Sequence, residues 1–127
     1  MTGYVGKIEE ITEKNTNFRQ VLFTGKYCQL VVMSLKPKEE IGMEVHSQVD
    51  QFFRIEEGEA KVIIDGEESL IGDGDAIIVP AGSQHNVINN SETEALKLYT
   101  IYSPPNHPEG TVHKTKEEAD AAEHEGH

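Results

Sequence analysis

The run Gly74-Asp75-Ala76-Ile77-Ile78-Val79-Pro80-Ala81-Gly82-Ser83-Gln84-His85-Asn86-Val87-Ile88-Asn89 sets two short β-prone segments either side of a Pro-x-Gly reversal. Ala76-Ile77-Ile78-Val79 is too short for a helix and rich in branched residues, so it reads as a buried strand. Pro80 cannot donate to a ladder and ends it. Gly82 lets the chain reverse. His85-Asn86-Val87-Ile88 then opens a new strand.

The same grammar continues upstream. Residues 60–64 and 67–71 flank Asp65-Gly66, a pair that favours a type I′ hairpin because both central positions need positive φ. Glu57-Gly58-Glu59 and Gly72-Asp73-Gly74-Asp75 are further turns. Residues 27–35 form a Val-, Leu- and Tyr-rich strand, Lys36-Pro37-Lys38-Glu39-Glu40 a polar connection, and residues 43–46 and 51–56 extended segments. Residues 95–102 make the last strand. Short strands with turn signals every 8 to 12 residues specify a sandwich or barrel. Before residue 114 no segment carries a sustained helical period, while residues 114–123 suit one or two helical turns. The chain divides into an N-terminal arm (1–25) with a short strand or turn around Phe18 to Phe23, a barrel (26–103), and a Pro-rich arm with a flexible acidic tail (104–127).

Composition narrows the function classes. A chain of 127 residues fits one domain. Its 36 % hydrophobic content suits a barrel whose alternate strand residues face water. With 11 Lys and Arg against 23 Asp and Glu, the net charge of −12 disfavours nucleic acid and anionic membranes. No apolar run approaches the roughly 20 residues of a membrane span, and the first residues lack a secretory layout, so a cytoplasmic protein is expected. The single cysteine, Cys28, excludes an intrachain disulfide and is expected to be half-buried in a strand.

Gly74, Pro80, Gly82, His85 and Asn89 together stand as G-x5-P-x-G-x2-H-x3-N, which resembles the second signature motif of the cupin superfamily, in its small mannose-6-phosphate-isomerase-like group. The resemblance implies an all-β jelly-roll barrel, the double-stranded β-helix. The family's first motif, G-x5-H-x-H-x3,4-E-x6-G, is altered here. Anchored on Gly58, it becomes Glu44-x-His46-x4-Gln51-x6-Gly58, with Lys38 where a glycine is usual. A carboxylate stands in the first histidine slot and an amide in the glutamate slot, which leaves the formal ligand charge unchanged.

By that resemblance, Glu44, His46, Gln51 and His85 form the candidate ligand set for one divalent transition metal: Fe(II), Mn(II), Ni(II) or Zn(II). Glu44 and His46, two apart on a strand, share a face. A rival register places His46 first, Gln48 second and Asp50 or Gln51 as the acid. Phe53 shares the inward side with Gln51, and Tyr99 and Tyr102 face opposite sides of the last strand. All three are candidates to line the cavity. His107, His113, His124 and His127 fall in the tail at irregular spacing and are read as solvated.

Three functions are compatible with these residues: a metal-dependent isomerase or oxygenase on a small polar metabolite, a non-catalytic metal- or metabolite-binding module, and an empty structural barrel. A fold alone does not choose among them. The absence of a Lys and Arg cluster in the barrel strands counts against a sugar phosphate. Small cupins commonly pair through an edge strand, so a homodimer is expected by resemblance.

Overall fold

The computed structural model describes residues 3–124. In chain order its elements are α1 (Ile8–Lys14), β1 (Arg19–Thr24), β2 (Gln29–Leu35), β3 (Glu44–Val45), β4 (Asp50–Glu57) and β5 (Ala60–Ile64). There follow β6 (Glu67–Ile71), β7 (Ala76–Val79), β8 (Gln84–Asn89), β9 (Leu96–Ser103), β10 (Val112–His113) and α2 (Lys116–His124). The strands form two antiparallel sheets, one ordered β10-β1-β2-β9-β4-β7 and the other β3-β8-β5-β6. This is the expected all-β jelly roll. Neither helix is long and apolar enough to cross a membrane.

Strand register arranges the interior in rungs. Leu35 pairs with Leu96, and Met33 with Leu98, which pairs onward with Ile55. Val31, Thr100, Phe53 and Ile77 form the next rung, and Gln29, Tyr102, Gln51 and Val79 the last. Along β2, β4 and β9 the inward residues thus change from aliphatic to polar toward one end. Burial follows the alternation: Gln51, Phe53 and Ile55 are buried, while Phe52 and Arg54 between them are only partly so. The aliphatic end supplies the core, and the polar end is where chemistry can sit.

Local signals account for the connections. Asp65 and Gly66 take φ of 48° and 84°, as a type I′ turn requires. The turn also reaches sideways: Asp65 N donates to Gln84 O at 2.8 Å and Gln84 N to Asp65 Oδ1 at 2.9 Å, fixing the start of β8 next to His85. At Gly58, φ is 115° and a Cβ would lie 3.0 Å from Ala95 O, so both conformation and space demand glycine. Asn89 closes the barrel's apolar end. Fully buried, it donates through Nδ2 toward the carbonyls of Leu35, Lys36 and Glu94 and accepts from Ser91 N. Truncation to Ala strands these backbone groups, so Asn89→Ala is expected to lose about 2–3 kcal/mol of stability by urea titration.

The ends of the chain depart from expectation. Seven residues at α1 form a helix that the sequence did not announce. One turn of i, i+3, i+4 spacing (Ile8, Ile11, Thr12) is too brief to register as a period. What holds it is tertiary: Lys97 Nζ, on β9, donates to Asn15 O at 2.6 Å and to Ser34 Oγ at 3.0 Å. Residues 104–124 are no free tail. β10 pairs with β1, setting His113 against Arg19, and Ala119 of α2 is buried in the core. The strand expected around Phe18 to Phe23 is β1, which lies between β10 and β2 in the larger sheet. Cys28 is exposed just before β2, rather than half-buried within it. The disorder expected at the extreme C-terminus concerns residues 125–127, outside the described residues.

Candidate metal centre

The short strand β3 pairs with β8 so that Glu44 lies directly opposite His85. His46, two residues on, is held where β3 ends, because its carbonyl accepts from Gly82 N at 2.8 Å. The Pro80-Ala81-Gly82 turn therefore positions both histidines, His85 through the strand it launches and His46 through this backbone bond. Glu44, His46 and His85 bring their ligating atoms within 4.8 Å of one another. The two imidazole rings are 5.5 Å apart, centroid to centroid. Glu44 Oε1 is 3.6 Å from His46 Nε2, so the cluster is gathered yet loosely joined.

Its unmet valences make the donor set fit a cation. His46 Nε2, His85 Nε2 and Gln51 Oε1 are buried with no hydrogen-bond partner, a condition that costs roughly 1–3 kcal/mol per group. His85 Nδ1 lies 3.1 Å from the Ser83 carbonyl. A carbonyl only accepts, so the proton sits on Nδ1 and the Nε2 lone pair faces inward, the arrangement seen in metal-ligating imidazoles. Gln51 is turned the same way: its Nε2 donates to Thr100 Oγ1 at 3.0 Å, leaving the carbonyl oxygen as the free end. Gln51 sits opposite Tyr102 in the sheet, and the Tyr102 ring is 6.0 Å from that of His46.

The rival register does not survive in three dimensions. Gln48 and Asp50 are exposed, and Asp50 Oδ1 accepts from Ala81 N at 2.9 Å to brace the turn.

Electrostatics prepare these groups. Burial pushes the Glu44 carboxyl up, but the close approach of His46 and the fields of His46, Arg19 and His85 outweigh that and hold it below its ordinary value. Glu44 is thus ionised at neutral pH. Burial pushes the Tyr102 phenol up to about 12, against the opposing pull of Arg19 and Gln51, so it keeps its proton. His107 is driven down to about 3, first by burial and then by the Arg19 charge. Its Nε2 lies 3.2 Å from the Tyr102 hydroxyl.

His107 carries a pH prediction. Its folded pKa lies below the ordinary 6.5, so the unfolded chain takes up a proton that the folded chain refuses. Stability from this residue is complete above about pH 6.5 and drains away as the pH falls toward about 3. Melting midpoints at pH 7 and pH 5 should diverge less in His107→Gln than in the parent chain. An equal drop in both would remove His107 as a cause of acid sensitivity.

A cavity of about 390 Å³ opens beside the cluster, with Arg19, Glu44 and His46 on one wall. Asn106, His107, Pro108, Thr111, His113 and Ala122 complete its lining. Phe53, Tyr99 and Tyr102 are not among these wall residues. Phe53 and Tyr102 are buried behind the ligands, Phe53 with its ring 6.2 Å from His85 and Tyr102 against His46 and His107. Tyr99 lies on the outer face, its ring 6.1 Å from Phe52. His107 and His113, read as solvated, are cavity walls. Buried Gln29 draws the first of these in: Asn106 N and His107 N each donate to its Oε1 at 3.0 Å, and its Nε2 donates to His107 O at 2.8 Å, while β10 pairing sets His113 opposite Arg19. His127 lies outside the described residues.

Comparison with known proteins agrees with this architecture. A cupin-domain family model matches residues 31–102. The chain is 49 % identical over 126 residues to YrkC, an uncharacterized protein of Bacillus subtilis (strain 168), covering 94 % of this chain and 67 % of that one. It superposes on a crystal structure of the Bacillus halodurans protein BH2720 with a TM-score of 0.90 at 44 % identity, covering 93 % of each. A shorter likeness, 31 % over 65 residues, links 51 % of this chain to 14 % of mannose-1-phosphate guanylyltransferase of Escherichia coli (strain K12). The matched family segment runs from β2 through Tyr102 of β9 and takes in Glu44, His46, Gln51 and His85, so the chain belongs to the cupin family.

Proposed function

We propose that this protein is a metal-dependent enzyme acting on a small polar metabolite, of the isomerase or dioxygenase class. One observation carries the reading: buried His46 Nε2, His85 Nε2 and Gln51 Oε1 have no partner in a barrel otherwise well supplied with hydrogen bonds. Glu44, His46 and His85 would hold a divalent ion, with Gln51 as a weaker fourth ligand, and Fe, Mn, Ni or Zn suits that set. Such an ion supplies Lewis acidity and, for iron or manganese, a redox couple.

The chain's own groups do the rest. Glu44 brings a negative charge already in place, and the Ser83 carbonyl keeps the His85 lone pair aimed inward. Tyr102 keeps its proton behind the ligands, with its hydroxyl 3.2 Å from Nε2 of neutral His107, and so helps to hold that wall residue in place. A cavity of about 390 Å³ is at the small end of ligand sites and suits a compact molecule.

The test is metal content after purification without chelator, followed by oxygen uptake on diketones and thiols and by solvent deuterium exchange into hydroxyketones. Metal with uptake identifies an oxygenase, and metal with exchange alone an isomerase. Metal without turnover, or no metal, moves the protein to the non-catalytic binding class.

A further inference from the structure

Among the described residues Arg19 is the one Lys or Arg on the cavity wall, and its surroundings are unusual. It stands on β1 with only 3 % of its surface exposed. Among the described residues no ion pair neutralises it, and its Nε has no hydrogen-bond partner. Its neighbours are uncharged or titrating groups: the Phe18 ring 5.4 Å from the guanidinium carbon, His113 Nδ1 3.5 Å from Nη1, and the Tyr102 phenol, with which its side chain hydrogen-bonds. A buried guanidinium without an anion is costly, several kcal/mol even after relaxation. Glu44 feels its field but faces the two imidazoles. With a divalent ion in place, Glu44 and Arg19 included, the cavity would carry a net charge of +2, inside a chain of −12. Such a site attracts a small anion and excludes a large one.

We propose that Arg19 is the anchor for a carboxylate on the substrate, whose remaining oxygens face Glu44, His46 and His85. The proposal rests on the enzymatic reading above and names its substrate class, a small organic acid. A guanidinium offers a fork of donors matched to a carboxylate. A phosphate group asks for more cations than this wall holds, since Arg19 is its sole Lys or Arg. His113 sets the fork's orientation from β10, which pairs with β1 at this residue.

Calorimetric titration of the full chain with lactate and with its neutral isostere lactamide tests the anchor, on protein as purified and after chelation. Lactate should bind about tenfold or more tightly than lactamide in both forms. Arg19→Gln should erase that preference while metal content stays at the parent level, and Arg19→Lys should restore part of it. Equal affinity for the two probes, a preference that survives Arg19→Gln, or tighter binding of inorganic phosphate than of lactate would overturn the assignment. Lactate preference in a protein that carries no metal leaves the anchor standing and removes the enzymatic reading instead. Loss of preference with metal retained in the parent chain sinks the anchor alone.

Discussion

Replacing His85 with Ala is expected to empty the metal centre, lowering affinity by on the order of a hundredfold or more, while the barrel stays folded. Loss of a mere supporting partner costs roughly 10- to 100-fold in metal affinity, and His85 is proposed as a ligand, so it should exceed that range. Its imidazole contributes one of three clustered ligand atoms and already spends its other nitrogen on Ser83. Glu44→Gln is the companion variant: it keeps shape and deletes the charge that opposes the cation. Both are read by metal analysis after dialysis, with melting curves to show that folding persists. Parent-level metal in His85→Ala would mean that the ligands lie elsewhere.

Phe53→Ala should be the most destabilising single change near the site. Phe53 is 1 % exposed, on the rung between aliphatic core and polar end, with its ring edge-on to His85. Removing a buried phenyl leaves a cavity and costs about 3–5 kcal/mol, a fall of roughly 10–20 °C in the melting midpoint for a domain of this size. His85 would lose its side support, so metal affinity should drop as well. Phe52→Ala is the control. Phe52 lies on the outer face against Tyr99, and its removal should cost clearly less. A larger loss at Phe52 than at Phe53 would show that the strand's facing is inverted.

The two positions differ in how they could be foreseen. Period-2 alternation in Gln51-Phe52-Phe53-Arg54 separates the faces of β4 without any tertiary knowledge. On β9 the same rule puts Tyr99 and Tyr102 on opposite faces but does not say which is inside. Pairing with β4 answers it, since Gln51 lies against Tyr102 and Arg54 against Tyr99. The altered first motif was similar. Spacing to Gly58 put Glu44, His46 and Gln51 in a ligand register, and the pairing of Glu44 with His85 brings the distant halves together.

Succession of strands and the Asp65-Gly66 hairpin were legible along the chain because turn chemistry and alternation act over a few residues, and the inward aim of His85 followed from the resemblance of its motif. Docking of the C-terminal segment, the second cavity wall and the unpaired charge of Arg19 were not. They depend on Gln29 holding a backbone 78 residues away and on Arg19 meeting His113 across 94. Such contacts leave no periodic mark in the residues that make them: a lone Gln or Arg looks the same whether it faces water or closes a site. Only the folded barrel, by choosing which side of each strand is buried, assigns those residues a task.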